Sequence, residues 1–142
     1  MKLRIFIIVT ILAAVLFLSS CVTSHDFNVD LSCDEFSQNS HRTGEFKMEV
    51  GDKLRVKLCS NPTTGFQWDY EVMITDGDEV LKEEDRDFEE PEDEGLVGAA
   101  GKDVWTFEAV EKGIAEVRME YSRPWEGGEK AEWTYTVNVT VE

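Results

Sequence analysis

The stretch WTYTVNVTVE, Trp133 to Glu142, places Trp133, Tyr135, Val137, Val139 and Val141 on one side of an extended chain and Thr134, Thr136, Asn138 and Thr140 on the other. A two-residue period built from aromatic and β-branched residues marks a strand with one face buried, because successive side chains in a strand point to opposite faces. Working outward, the same period recurs at Trp105, Phe107 and Ala109, and again at Ala115, Val117, Met119 and Tyr121. Glu111-Lys112-Gly113 lies between these two runs, and the reading is a hairpin. Further upstream, alternation through Phe66, Trp68, Tyr70 and Val72 leaves Gln67, Asp69 and Glu71 on the polar face. Leu54, Val56 and Leu58, then Phe46, Met48 and Val50, then Phe27, Val29 and Leu31, repeat the pattern, while Val80-Leu81 marks a short strand.

Seven to eight short strands, each apolar on one face, need a second sheet to cover that face. The fold class is therefore all-β, an immunoglobulin-like antiparallel β-sandwich, with a closed barrel as the structural alternative. The tryptophans fall at inward positions except Trp125. Glu83 to Glu94 holds nine acidic residues and reads as a solvated, mobile loop. It lacks the Asp-x-Asp-x-Asp-Gly spacing of a calcium loop.

The first twenty residues stand outside this pattern. Lys2 and Arg4 precede an apolar run from Ile5 to Leu18, too short for a transmembrane helix and the right size for the centre of an export signal. It ends at Leu18-Ser19-Ser20-Cys21, which resembles a lipobox, the site at which a cysteine thiol receives a diacylglyceryl group before cleavage. The alternative is an ordinary signal peptide with Cys21 there by chance. The expected organisation is a lipoprotein signal peptide over 1–20, a lipidated N terminus and tether over 21–30, and one domain over 31–142. The localisation that follows is the cell envelope, lipid-anchored on the extracytoplasmic side of a membrane.

Two of the 14 basic residues lie in 1–20 and all 30 acidic residues lie beyond it, so 12 against 30 leaves a formal charge of -18. Such a surface repels phosphate backbones, which excludes nucleic acid as a partner. Beyond Cys21 only Cys33 and Cys59 remain, and in an exported domain they are candidates for one disulfide, worth about 3 kcal/mol. Simple alternation puts Cys59 on a polar face and Cys33 on an apolar one, a disagreement that a bulge could reconcile; two free cysteines are the other reading.

Three segments break the alternation with residues chosen for backbone shape or exposed contact. In Asn61-Pro62-Thr63-Thr64-Gly65-Phe66, Pro62 fixes its own φ and Gly65 permits a positive one, so the loop is stiff with two threonines at its tip. Val97-Gly98-Ala99-Ala100-Gly101 carries almost no side chain and lets another backbone come close. Arg123-Pro124-Trp125-Glu126-Gly127-Gly128 places a tryptophan where no local pattern buries it, the composition of an interface anchor.

From about Val50 to the C terminus the chain resembles the chagasin family of cysteine protease inhibitors. In that family a first loop reads Asn-Pro-Thr-Thr-Gly followed by an aromatic, a last loop reads Arg-Pro-Trp, and a glycine-rich segment lies between. Residues 61–66 match the first motif in full and Arg123, Pro124 and Trp125 match the last. The middle segment departs: the family usually shows Gly-x-Gly-Gly, and Ala100 stands at its third position. If a positive φ is needed there, the loop must differ locally.

The resemblance implies an immunoglobulin-like domain whose three loops form a wedge in the cleft of a papain-like cysteine protease. Thr63 and Thr64 would lie over the catalytic cysteine, Gly98 to Gly101 would run beside the non-primed cleft, and Arg123 and Trp125 would grip the opposite rim. Inhibition would be reversible and tight, by a single copy of the domain: a monomer is the default, since no strand offers a second apolar face. An enzyme is a poor reading, because only His25 and His41 could act as bases near neutrality and no catalytic set, metal-ligand spacing or cofactor motif accompanies them. The remaining rival is a non-inhibitory binding or adhesion lipoprotein on the same sandwich.

Overall fold

A computed structural model describes residues 23–91 and 98–142. The signal segment, Cys21 and Val97 lie outside the described residues. Among the described residues eight strands form, β1 Asp26–Leu31, β2 His41–Met48, β3 Lys53–Ser60, β4 Gln67–Asp76, β5 Leu81–Glu89, β6 Gly101–Ala109, β7 Gly113–Ser122 and β8 Trp133–Val141, with one short α-helix, α1 Cys33–Gln38. They make two four-stranded sheets, ordered β1-β3-β6-β5 and β2-β8-β7-β4. The pairings β1 with β3 and β2 with β8 are parallel, and the others are antiparallel. The two sheets bury Leu54, Val56, Leu58, Trp105 and Phe107 from one side against Val117, Met119, Val137 and Val139 from the other. This is the expected sandwich of alternating strands.

Four expectations are corrected. β6 and β7 do not form a hairpin: β6 pairs with β3 and β5, β7 with β4 and β8, so residues 110–112 carry the chain from one sheet to the other. Alternation is the same for strands that lie side by side and strands that face each other across a core, so the period could not distinguish them. The acidic stretch is a strand over its first half, since Leu81–Glu89 pairs with β6 as far as Glu89↔Lys102, with a register shift between Glu83 and Asp85. At a sheet edge the backbone bonds suffice and charged side chains reach solvent, which also discourages pairing with another chain. The carboxylates meet a cationic stripe on β3, Glu84 with Lys53 at 2.7 Å and Glu89 with Lys57 at 2.6 Å.

The expected bridge between Cys33 and Cys59 forms, with a Cα–Cα distance of 5.1 Å, and the third correction is to the faces that alternation assigned to the two residues. No bulge is involved. Cys33 is the first residue of α1, so the alternation of β1 does not extend to it, and Cys59 is buried rather than on a polar face. α1 starts with a capping box: Ser32 Oγ accepts from Glu35 N–H, and Glu35 Oε2 accepts from Ser32 N–H. The Ser32 N–H first, and the Ser32 hydroxyl donating to the same oxygen at 2.9 Å second, hold the Glu35 carboxyl below its usual pKa. Phe36, fully buried, stacks on Trp133 at 5.1 Å and leans on Trp68 at 5.4 Å. Fourth, the fold begins before residue 31, because β1 pairs with β3 from Asp26 onward, which shortens any tether.

The strand ends define two poles. Ser60 pairs with Gly101 and Gln67 with Ser122, so β3, β4, β6 and β7 all open onto one pole. At the other, Lys53 pairs with Glu108 and Gly113 with Val141. There Asp52, buried in the β2–β3 turn, accepts from His25 N–H at 2.7 Å and from Glu49 N–H at 2.8 Å. The Glu49 amide bond is the main reason its pKa lies below the ordinary 3.8, with the His25 amide adding to it against the cost of burial. A carboxyl with a depressed folded pKa stabilises the fold above its unfolded pKa, and that contribution disappears as pH falls through the folded value. Asp52→Ala is expected to cost about 1–3 kcal/mol at neutral pH by leaving two amides without their acceptor. In urea unfolding followed from pH 7 downward, the gap between wild type and variant should stay constant to about pH 4 and then narrow.

Candidate functional site: three loops at one pole

The first loop is locked by its own residues. Pro62–Thr64 form one turn of 3-10 helix, capped at the start by Asn61 and at the end by Gly65, whose φ is 80°. Asn61 Oδ1 accepts from Thr63 N–H at 3.2 Å and from Thr63 Oγ1 at 2.6 Å, while Asn61 O accepts from Thr64 Oγ1 at 2.7 Å. Both threonines remain exposed at the tip with their hydroxyls turned back to Asn61.

Asn61 also joins this loop to the rest of the pole. Its N–H donates to the Tyr121 hydroxyl at 2.9 Å, and its Nδ2 donates to the Gly98 carbonyl at 2.8 Å. The second loop is thus pinned to the first through backbone, without needing a side chain of its own. Gly98 has φ 85°, whereas neither Ala99 nor Ala100 has a positive φ. The methyl group of Ala100 therefore brings no strain where the resemblance raised the question. Gly101 opens β6 opposite Ser60.

The third loop folds over the first. The Arg123 guanidinium lies 4.5 Å from the Phe66 ring centroid and 5.9 Å from that of Trp125. Its Nε and Nη2 point to the Thr64 carbonyl at 3.4 Å, and its Nη1 donates to Glu129 at 2.8 Å. Such a cation between two aromatic faces contributes on the order of 1 kcal/mol per contact. Phe66 in turn stacks on Tyr121 at 5.2 Å, which ties the loop to the core aromatics Trp68 and Trp133. Trp125 rests on Gly65 and keeps 52% of its surface exposed.

All thirteen expected contact residues, Asn61 to Phe66, Gly98 to Gly101 and Arg123 to Trp125, thus lie at one pole. The role of Arg123 differs in emphasis from a rim contact, since its guanidinium is engaged within the pole. Sequence reasoning placed Tyr121 in the core and did not name Glu129, Lys130 or Ala131. Lys130 Nζ donates to the Arg123 carbonyl, and Ala131, at φ 51°, has its N–H held by Ser122 Oγ at 2.8 Å and by Glu120 at 3.1 Å. The Gly127-Gly128 pair was the available signal of a tight return. A groove of about 570 Å³ on the β4–β7 face has Pro124 in its lining, next to the third loop.

Loops fastened to one another at the end of an immunoglobulin-like sandwich define a loop-presenting binding module. A family model described as "Chagasin family peptidase inhibitor I42" matches residues 47–139, a span that includes all three loops, and the chain belongs to that family. It is a family of inhibitors and not of enzymes. Chagasin of Trypanosoma cruzi is 30% identical over 100 residues, which cover 69% of this chain and 89% of chagasin. Amoebiasin-2 of Entamoeba histolytica is 28% identical over 94 residues, 66% of this chain and 74% of that protein. Among solved structures, the cysteine protease inhibitor EhICP2 of Entamoeba histolytica superposes with a TM-score of 0.62 at 22% identity, over 84% of this chain and 97% of that one. PbICP-C, solved in complex with falcipain-2, gives 0.58 at 16% identity over 84% and 100%. These two likenesses establish the shared fold.

Gly65 is the position at which the packing of two loops is most exposed to test. A Cβ there would sit 2.6 Å from Trp125 Cη2, and φ 80° disfavours any side chain. Gly65→Ala is expected to lose about 1–2 kcal/mol and to displace the indole. Urea unfolding reads the first effect and near-ultraviolet circular dichroism the second; an unchanged tryptophan signal would contradict the packing.

Proposed function

We propose that this chain is a reversible, tight-binding inhibitor of papain-like cysteine proteases that fills the active-site cleft with the three loops. Family membership supports protease inhibition, and the relatives supply the target class: EhICP2 is a cysteine protease inhibitor, and PbICP-C forms a complex with falcipain-2. The observation that carries the reading is the fastening of all three loops before any partner arrives, through Asn61 to Gly98 and through Arg123 to Thr64. A wedge already in its bound shape loses little conformational entropy on docking.

In this reading Thr63 and Thr64 cover the catalytic cysteine and offer it no cleavable peptide in the reactive register. Their hydroxyls donate to Asn61, which fixes both side chains before docking. The Gly98 to Gly101 segment lies along the cleft wall, where its small residues let the enzyme backbone approach. Trp125 is the anchor: a large aromatic, half exposed and rigidly backed by Gly65, supplies several kcal/mol on entering a dry pocket. Arg123 serves by holding Trp125 and the threonine turn in one frame. No covalent step, metal or cofactor enters the mechanism.

We also propose that residues 1–20 direct export and that Cys21 is lipidated, which makes the mature protein an envelope lipoprotein acting as a monomer. The lipobox-like Leu18-Ser19-Ser20-Cys21 supports this, as does the disulfide, which suits an oxidising compartment.

Titration of papain with purified residues 22–142 is expected to abolish activity at a one-to-one ratio. Trp125→Ala should raise the inhibition constant about 30-fold or more, equivalent to about 2 kcal/mol or above. Absence of inhibition by the wild-type domain at micromolar concentration would overturn the reading in favour of a non-inhibitory binding module.

A further inference from the structure

The chain enters the fold at the pole opposite the loops. β1 runs parallel to β3, with Asp26 beside Lys53 and Leu31 beside Leu58, so its start lies at the end of β3 farthest from Asn61. The entry is fixed there: His25 N–H donates to Asp52 at 2.7 Å, and His25 O accepts from Lys53 N–H at 2.9 Å. The direction of this first strand is a property of the sheet register, independent of what precedes residue 23.

The same pole carries three of the four exposed large hydrophobics among the described residues. Among the described residues the exposed large hydrophobics are Val50, Ile74, Ile114 and Trp125. Trp125 belongs to the loops; Val50 sits in the β2–β3 turn, Ile74 near the end of β4 and Ile114 at the start of β7, all at the entry pole. The turns and strand ends at this pole carry Glu49, Asp76, Asp78, Glu79 and Glu111, together with the cations Lys47, Lys53 and Lys112. That composition allows contact with a neutral surface and opposes both insertion into hydrocarbon and approach to anionic headgroups.

We propose that the pole bearing Val50, Ile74 and Ile114 faces the membrane and rests on zwitterionic lipid headgroups, so that the anchored domain presents its inhibitory loops outward. This rests on the lipid at Cys21 proposed above. Five Cα steps separate Cys21 from Asp26 and span at most about 18 Å. The seven Cα steps of β3 from Lys53 to Ser60 then add about 23 Å to the loop pole. The loops stand about 23–41 Å from the anchored end, on the aqueous side. The protease they meet is a soluble enzyme arriving from that side, and not one held flat on the same bilayer.

The test uses the lipidated mature chain on phosphatidylcholine vesicles that carry a nitroxide on the headgroup. A fluorophore is placed at Lys112→Cys or at Glu126→Cys, one at each pole, and papain inhibition is measured separately on the lipidated chain without either substitution. The dye at position 112 is expected to be quenched at least threefold more strongly than the dye at 126. Equal quenching, or stronger quenching at 126, would overturn the proposed orientation. A chain that fails to float with the vesicles, and behaves like Cys21→Ser, would overturn it by removing the anchor. Unimpaired papain inhibition in that case would leave the inhibitory reading standing, so the two failures are separable.

Discussion

Everything at the loop pole depends on the hydrogen bonding of Asn61. Its side-chain oxygen closes the threonine turn, its side-chain nitrogen holds the Gly98 carbonyl, and its backbone N–H reaches the hydroxyl of Tyr121, the strand residue from which the third loop departs. Only a short side chain with both an acceptor and a donor can do this; aspartate would lose the bond to Gly98, and serine could not reach it. Pro62 and Gly65 set the backbone on either side so that the amide group is delivered in that position.

The aromatic ladder beneath converts this local lock into a rigid projection. Phe66 stacks on Tyr121, Tyr121 on Trp133, and Trp133 on Phe36, whose helix is tied by Cys33 to Cys59 next to the first loop. Trp68 joins the same cluster and donates its indole N–H to the Cys59 carbonyl at 2.9 Å. At the middle of the sandwich, the Tyr70 hydroxyl donates to Glu83 and links β4 to β5 across the two sheets. Burial first, and that bond second, push the Tyr70 pKa up to about 12, so the donor persists at any physiological pH.

The strands were legible in the sequence because each buries one face, and a half-buried strand writes its period directly into the residue order. Which strand lies beside which was not, as the passage from Ala109 to Gly113 shows: a hairpin and a sheet-to-sheet crossing require the same alternation. Only the start of β5 at Leu81 was legible; its continuation to Glu89 was hidden because an edge strand covered in carboxylates carries no apolar period. α1 was hidden by its length, although Ser32 and Glu35 have capping-box spacing. The loops were legible through residues that shape backbone, Pro62, Gly65 and Gly98, and through Trp125, which no pattern buries. The fastenings between them were not, since Tyr121 reads as core and Glu129 and Lys130 as ordinary surface until the fold brings them to Arg123.

The central claim is that three preassembled loops, and no other surface, meet the protease. Hydrogen exchange of the free domain and of its complex with papain tests this most directly. The account predicts slow exchange at the Gly65 and Gly128 amides already in the free protein, where they donate to Pro62 and Trp125 carbonyls at 3.2 and 3.1 Å. It further predicts that added protection on binding is confined to residues 61–66, 98–101 and 123–128. Protection appearing instead along β1 and β3, or around Val50 and Ile114, would contradict it.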